Sequence, residues 1–478
     1  MQYRFLLGLL PALFLGACVP MTDKQAPMAT PDLSRELAQD APALQPSEAR
    51  LESDWWKGYG DAQLDALIEN ALRNAPALKS VEARYALANS VLAAAQSGNV
   101  PHISADAAVT RERFSENYIF PAPLGGGTYT LYETGVSLDY TFDFWDERAS
   151  RIRSALYGAL AQKAAVDAAR LALAVGICTL YLSWHFDEER LLLLEASERA
   201  LVEEQAILEK KWKQGLIDAT ALYAKQAEVA ALKGEQAAVR RAVAGKIEGI
   251  GILGGFLPSY ADTLSAPKLR EDTEVPLPEA VRLDLVAHRA DVTVCKYIVL
   301  SKEQNIEQAK AQFYPNISLT GLLGFISFDF GKLLVASSYA PAGGAALSLP
   351  LFDGGAREAN LQASVSDYNR AVNDYNAAVI KAANEVVGVL KRSRLIVSQT
   401  QLHDADIRAK QRNEALAQKR FGGGLTDKLP YLEAKRAYWR GELAGIALRE
   451  ERAGLKIALI NALGGGYRDP NGKEGADD

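Results

Sequence analysis

From Asp146 to Lys213 the sequence contains no proline and only two glycines, Gly158 and Gly176. Ala, Leu, Glu, Arg and Lys dominate, and all are good helix formers. At 1.5 Å per residue, a helix of about 65 residues would reach roughly 100 Å, far beyond the needs of a compact domain. Leu173, Ile177, Leu180 and Trp184 recur at helical spacing, and Leu171, Val175, Cys178 and Leu182 form an adjoining stripe. Two apolar stripes predict packing against neighbours on more than one side. A second such stretch runs from about Ala356 to Phe421, with only Gly388 inside it. Shorter partner helices are expected over Ala219–Leu253 and Lys428–Leu463.

The two long stretches belong to a longer self-similarity. Asn74–Ile103, ending AQSGNVPHI, aligns with His288–Ile317, ending AKAQFYPNI, at an offset of 214 residues. Gly215-Leu216-Ile217-Asp218 answers Gly424-Leu425-Thr426-Asp427, and Leu253-Gly254-Gly255 answers Leu463-Gly464-Gly465. The expected unit is helix, strand, loop, strand, very long helix, glycine turn, long helix. It occupies residues 58–255 and again 281–465. A proline-rich linker over 256–280 separates the copies, and a Gly- and Asp-rich tail over 466–478 is expected to be disordered.

Strands are expected over 100–113 and 128–144 in the first copy, and over 315–328 and 343–352 in the second. Val136, Leu138, Tyr140, Phe142 and Phe144 alternate with Ser137, Asp139, Thr141 and Asp143, the pattern of a strand with one apolar face. The second pair alternates poorly, and Gly321, Gly324 and Pro350 weaken it, so its place in the repeat is its main support. Four amphipathic strands cannot close a barrel. If their apolar face meets lipid, closure is compulsory, because hydrocarbon satisfies no backbone group. Self-association is the physical way out, with eight strands from two chains or twelve from three. Strands near ten residues long suit a tilted membrane crossing.

Residues 1–17 carry a single Arg4 and an apolar run from Phe5 to Leu15, the layout of a secretory signal. Leu15-Gly16-Ala17-Cys18 is similar to a bacterial lipobox, which makes Cys18 the expected site of lipid attachment. Acyl chains contribute about 0.8 kcal/mol per buried methylene, so several hold a protein firmly to a membrane. Val19 rather than Asp follows, which points to the outer membrane. Residues 18–57 read as an extended tether. No other apolar run suggests a transmembrane helix at a mean hydropathy of −0.08. A net charge of −6, becoming −7 once Arg4 is removed, excludes a basic nucleic-acid binder.

Enzyme signatures are missing. Four scattered histidines and three distant cysteines offer no metal set or disulfide framework. Gly249–Gly254 fits GxGxxG but follows a helix rather than a strand, and no P-loop occurs. Cys178 and Cys295 read as buried small hydrophobes.

The lipobox, the LESDWWKGYGDAQLDALIENAL stretch, the FYPNISL strand entry, LPLFDGG and the two glycine turns together resemble the outer-membrane factor family. These are the TolC/OprM-type ducts, and the lipoprotein (NodT-type) branch is the most similar. The resemblance covers essentially Cys18–Gly465. It implies a fold of mixed α and β class: a homotrimer with a membrane β-barrel of four strands per chain, continuous with a long α-helical coiled-coil barrel in the periplasm. It further implies a passive exit duct for an efflux pump, working with a periplasmic adaptor protein and an inner-membrane RND-type pump. No cofactor is expected beyond the lipid, palmitate included, on Cys18. The alternatives are an exit channel for type I protein secretion and a poreless coiled-coil lipoprotein of the envelope.

The resemblance assigns working residues. Gly215, Leu216, Ile217 and Asp218, with Gly424, Leu425, Thr426 and Asp427, become adaptor-docking tips. The same residues are also what any helix–turn–helix needs, a left-handed glycine and a capping Asp. Gly422–Gly424 departs from the family by its three glycines and points to a looser tip. Leu429, Glu433 and Arg436 share a helical face and become a periplasmic gate. Glu433 stands where the family commonly has Asp, and Pro430 is expected to tilt the first turn. Otherwise Glu433 is a solvated carboxylate paired with Arg436 three residues on. Tyr118, Phe120, Tyr129 and Tyr132 are either an interfacial aromatic girdle or ordinary loop and strand aromatics.

Overall fold

A computed structural model describes residues 53–117, 119, 121–270 and 289–470. Cys18, Tyr118 and Phe120 lie outside the described residues, as do most of the expected tether, part of the linker and most of the tail. Seven helices and four strands occur among the described residues. They are α1 (Ala62–Asn74), α2 (Pro76–Ser97), β1 (His102–Arg113), β2 (Thr128–Phe142), α3 (Glu147–Lys213), α4 (Ala219–Gly254), α5 (Ala290–Ala311), β3 (Asn316–Ser327), β4 (Ala342–Ser348), α6 (Ala356–Gly422) and α7 (Leu429–Ala462). The chain divides into two units, one built from Ala86–Ala161 and Cys295–Tyr375, the other from 53–85, Gln162–Val294 and the residues from Asn376 onward.

The first unit holds one antiparallel sheet in the order β1-β2-β3-β4. Its register largely sorts the side chains by chemistry, with Leu322 opposite Ser137 and Ile326 opposite Glu133 as exceptions. Leu138 opposes Ile103, Tyr140 opposes Leu319, and Ile317 opposes both Phe142 and Leu347. One residue along, Ser137 opposes Ser104, Asp139 opposes His102 and Thr320, and Thr141 opposes Ser318. A slip of one position would exchange the faces, so the alternation itself specifies the pairing. At the middle of the sheet Gly135 opposes Gly324. A Cβ on Gly135 would lie 2.9 Å from the Gly324 Cα, so this close approach requires glycine. β1 and β4 each have one edge that no described strand pairs.

β2 and β4 stop well short of their expected ends, and β3 by one residue. β2 ends at Phe142 because the Asp143 carboxylate turns to cap α3, accepting from the Arg148 and Ala149 amides at 3.0 and 2.8 Å. β4 ends at Ser348 rather than 352. Pro350 has no N–H to give a ladder, and the chain leaves the sheet before it. Beside the sheet, Val299 and Ile306 of α5 pack with Leu361, Val365 and Val372 of α6. Ser154 of α3 meets Ser301 and Asn305 of α5 at 3.0 and 2.7 Å, and Arg153 donates to Gln304 at 2.6 Å.

The second unit is helical, with a core gathered on α1. Leu64, Leu67, Ile68 and Ala71 are fully buried against Ile177, Tyr181 and Trp184 of α3, Ile250 of α4 and Ile457 of α7. Each large side chain buried in this way contributes about 1.5–3 kcal/mol. The two stripes of α3 are thus packing faces. By length and composition alone α3 holds a stretch that could cross a membrane, but its apolar stripes are used in packing. Asp61 caps α1 through the Gln63 amide (2.9 Å) and accepts from the Tyr181 hydroxyl (2.9 Å) and the Lys268 amide (2.8 Å). Cys178 is buried, and burial pushes its thiol pKa up. Cys295 is only half-buried, since the stripe it sits on faces partly outward.

Candidate functional site

The α3 and α6 C-termini end in the same hydrogen-bonded turn. The Gly215 amide donates to Trp212 O at 2.8 Å and the Leu216 amide to Lys211 O at 2.9 Å. The Gly424 amide donates to Phe421 O at 3.0 Å and the Leu425 amide to Arg420 O at 2.9 Å. These are Schellman closures, and both glycines sit at φ +70°. The triple glycine is therefore no looser in its geometry. Gly422 belongs to α6, the Gly423 amide bonds Lys419 O at 2.9 Å, and only Gly424 of the three takes the left-handed turn. Leu216 and Leu425 follow the turn with 68% and 78% of their surface exposed.

The next helices start differently. Asp218 caps α4 through the Thr220 amide at 2.9 Å. Asp427 instead accepts from Lys211 Nζ at 2.6 Å, across the two turns, and also engages the Leu429 amide. The Lys211 hydrogen bond holds the Asp427 carboxyl below its usual range. Pro430 lies in the first turn of α7, where its missing N–H removes no helix bond. The expected tilt has no cause there.

Of the three expected gate residues, the structure separates Arg436 from the others. Glu433 is exposed on α7 and forms no ion pair with a described residue. Leu429 is half-buried. Arg436 turns to the first helix pair, its Nε 2.6 Å from Glu204 Oε1 of α3 and its Nη1 3.0 Å from Glu228 Oε2 of α4. Lys225 of α4 joins them, 2.9 Å from Glu204 Oε2 and 2.9 Å from Glu228 Oε2. The pairing of Glu433 with Arg436 is thus replaced by a balanced cluster of two carboxylates and two cations. Burial acts to raise the Glu228 pKa, but Lys225 and Arg436 outweigh it and hold it below the usual range. Lys428 adds a further ion pair to Glu203.

Sequence reasoning passed over Glu204, Lys225 and Glu228. A signal was present for the first. Glu204 follows Ser197, Ala200 and Leu201 on one buried face of α3, and its side chain is 1% exposed. A carboxylate on an apolar stripe needs a cationic partner. Its partners come from other helices, at separations that periodicity within one helix does not reveal. A second cluster of the same kind joins the three helices farther along α3. Asp187 meets Lys246 of α4 at 2.5 Å and pairs with Arg190, which lies 3.2 Å from Glu450 of α7.

The profile of outer membrane efflux proteins matches residues 67–248 and 284–465. The chain belongs to the outer membrane efflux protein family. This is a family of ducts at the outer membrane and not one of enzymes. Among relatives, the multidrug resistance outer membrane protein MdtQ of Escherichia coli O6:H1 is 28% identical over 95% of this chain and 96% of its own. The multidrug resistance outer membrane protein MdtP of Escherichia coli K12 is 26% identical over 87% of each. Among solved structures, the CmeC outer membrane channel of Campylobacter jejuni superposes with a TM-score of 0.81 at 21% identity, over 89% of this chain and 90% of that one. The outer membrane protein VceC of Vibrio cholerae superposes with a TM-score of 0.79 at 26% identity, over 86% and 98%. Helices as long as α3 and α6 beside one small sheet are therefore a fold this family uses.

Proposed function

We propose that this efflux protein is the exit duct of a tripartite pump, passively conducting drugs and other toxic small molecules out through the outer membrane. The observation that carries the reading is the four-stranded sheet itself. One face is mainly apolar, with Arg111 and Arg113 at its hairpin end, the other is mainly polar, and both edges lack a strand partner among the described residues. Such a sheet is costly alone and becomes satisfied when β1 of one copy pairs with β4 of the next. Three copies give a twelve-stranded barrel, with the apolar face on lipid and the polar face on a water-filled lumen. The cargo class is supported by the multidrug resistance names of the relatives.

In this reading, acyl chains on Cys18 anchor the chain in the outer membrane and the helices form a periplasmic tube. The exposed Leu216 and Leu425, on turns with Gly215, Ile217, Asp218, Gly424, Thr426 and Asp427, receive a periplasmic adaptor, which links the tube to an RND-type pump. Three Glu433 side chains crowd the axis behind an apolar collar of Leu429. Like charges there repel and draw in cations, so the ring is easily loosened. Arg436, committed to Glu204 and Glu228, positions α7 rather than lining the passage. The test is ion conductance of the lipidated full chain in planar bilayers. A duct gives discrete cation-preferring channels, and a poreless coiled coil gives none.

A further inference from the structure

The polar face of the sheet is not uniformly polar. At the end of the β1–β2 hairpin, Phe114, Tyr129 and Phe328 meet as a triangle of rings, with centroids 5.7, 6.0 and 5.3 Å apart. The register puts them on the polar face. Tyr129 pairs with Glu112, and Glu112 shares its face with Asp106 and Ser104. Phe114 continues the ladder, its amide bonded to Gly127 O at 3.0 Å and its carbonyl accepting from the Gly126 amide at 2.9 Å. Phe328 lies two residues beyond Ile326, which opposes Glu133. Tyr132, in contrast, opposes Val109 and meets Phe330 on the apolar face. Of the four candidate girdle aromatics, the two that are described, Tyr129 and Tyr132, therefore lie on opposite faces.

The charge on this face has one sign. Asp106, Glu112, Glu133 and Asp139 lie on it, with no lysine or arginine from any of the four strands, and none of the four forms an ion pair with a described residue. Arg111 and Arg113 fall on the opposite face. Directly opposed residues have Cβ atoms roughly 4.5–5.5 Å apart, so Glu112 and Tyr129 are neighbours on this face. Phe328 keeps 46% of its surface exposed.

We propose that Phe114, Tyr129 and Phe328, with Glu112 and Glu133, form a subsite for aromatic or amphiphilic organic cations at the hairpin end of the lumen. The inference rests on the duct reading, which turns this face inward. Ring faces attract cations, and the attraction grows as water is excluded. Carboxylates alone would favour potassium as readily as a drug. Rings alone would take any flat apolar molecule. Together they select cargo that is both cationic and apolar.

The full-length lipidated chain in planar bilayers tests this, with tetraphenylphosphonium as probe and tetraphenylborate as the matched anion, added from the hairpin side. Tetraphenylphosphonium should interrupt the current reversibly, and tetraphenylborate should not. Phe114→Leu and Phe328→Leu should each shorten the interruptions about two- to fivefold. Glu112→Gln should shorten them too, while the potassium chloride conductance stays open in all three. If Phe114→Leu fails to assemble, Phe328→Leu carries the question, because its ring is half in solvent. Equal interruption by both ions, or unchanged dwell times in Phe328→Leu and Glu112→Gln, overturns the subsite and leaves the duct intact. A parent chain that conducts nothing overturns the duct reading and the subsite with it.

Discussion

The turn-proximal halves of the two helix pairs are built from the same turn yet differ in how they are held. Toward its C-terminus α3 buries Leu191, Leu194, Ala200 and Leu201 and exposes Leu192, Val202 and Trp212, and its partner α4 has its own cap in Asp218. The corresponding stretch of α6 buries Ile396 and leaves Leu395, Val397, Leu402 and Leu416 exposed. Its partner α7 has no side-chain cap at Lys428. It is tied instead to the first pair through Lys211–Asp427, Lys428–Glu203 and Arg436 with Glu204 and Glu228. The first pair packs Leu191 and Leu194 of α3 against Val239 of α4, with Leu443 of α7 beside them. The second pair adds these charged ties to the first and leaves more of its apolar side chains exposed.

Five measurements would break or sharpen this contrast. The largest effect is expected at the buried carboxylate. Glu204→Ala leaves Arg436 and Lys225 short of a partner and should cost about 3 kcal/mol in urea unfolding. A cost below about 1 kcal/mol would show that charge does not hold the second pair. Next come the turns. Gly215→Ala and Gly424→Ala place a Cβ in open space, so only the left-handed backbone is penalised, by about 1–2 kcal/mol at each. Unequal costs would show that the two turns are not equivalent. Asp218→Ala removes a local cap and should cost about 1 kcal/mol. Asp427→Ala breaks a half-exposed link and should cost at most about 0.5 kcal/mol, less at high salt.

The pH dependence is smaller still and its sign is fixed. Asp427 and Glu228 are both held below the ordinary carboxylate pKa. Their stabilising contribution is therefore present above that value and is lost as pH falls through the depressed one. Protease sensitivity at the second turn should stay flat from pH 7 to about 5 and rise only in stronger acid. A rise between pH 7 and 6 would point to a different titrating group.

Much of this was legible in the sequence where one element answers for itself. Val136, Leu138 and Tyr140 alternate cleanly, so β2 and its faces could be read directly. Freedom from proline marked α3 and α6, and glycine followed by Asp marked both turns. What escaped depends on partners distant in the chain. Arg436 looked like a neighbour of Glu433 because both lie on α7, yet its partners are more than 200 residues away. Tyr129 and Tyr132 looked alike near one loop, and three residues of offset send them to opposite faces. β4 ends short of Pro350, whose missing N–H gives the ladder no donor.

The central claim is that one chain is an incomplete cylinder. Its most direct test is the mass of the lipidated protein in mild detergent, read with single-channel recording of the same preparation. Three copies per particle and a discrete, cation-preferring conductance that rises in Glu433→Ala are the predicted result. A monomer that carries no current would contradict it.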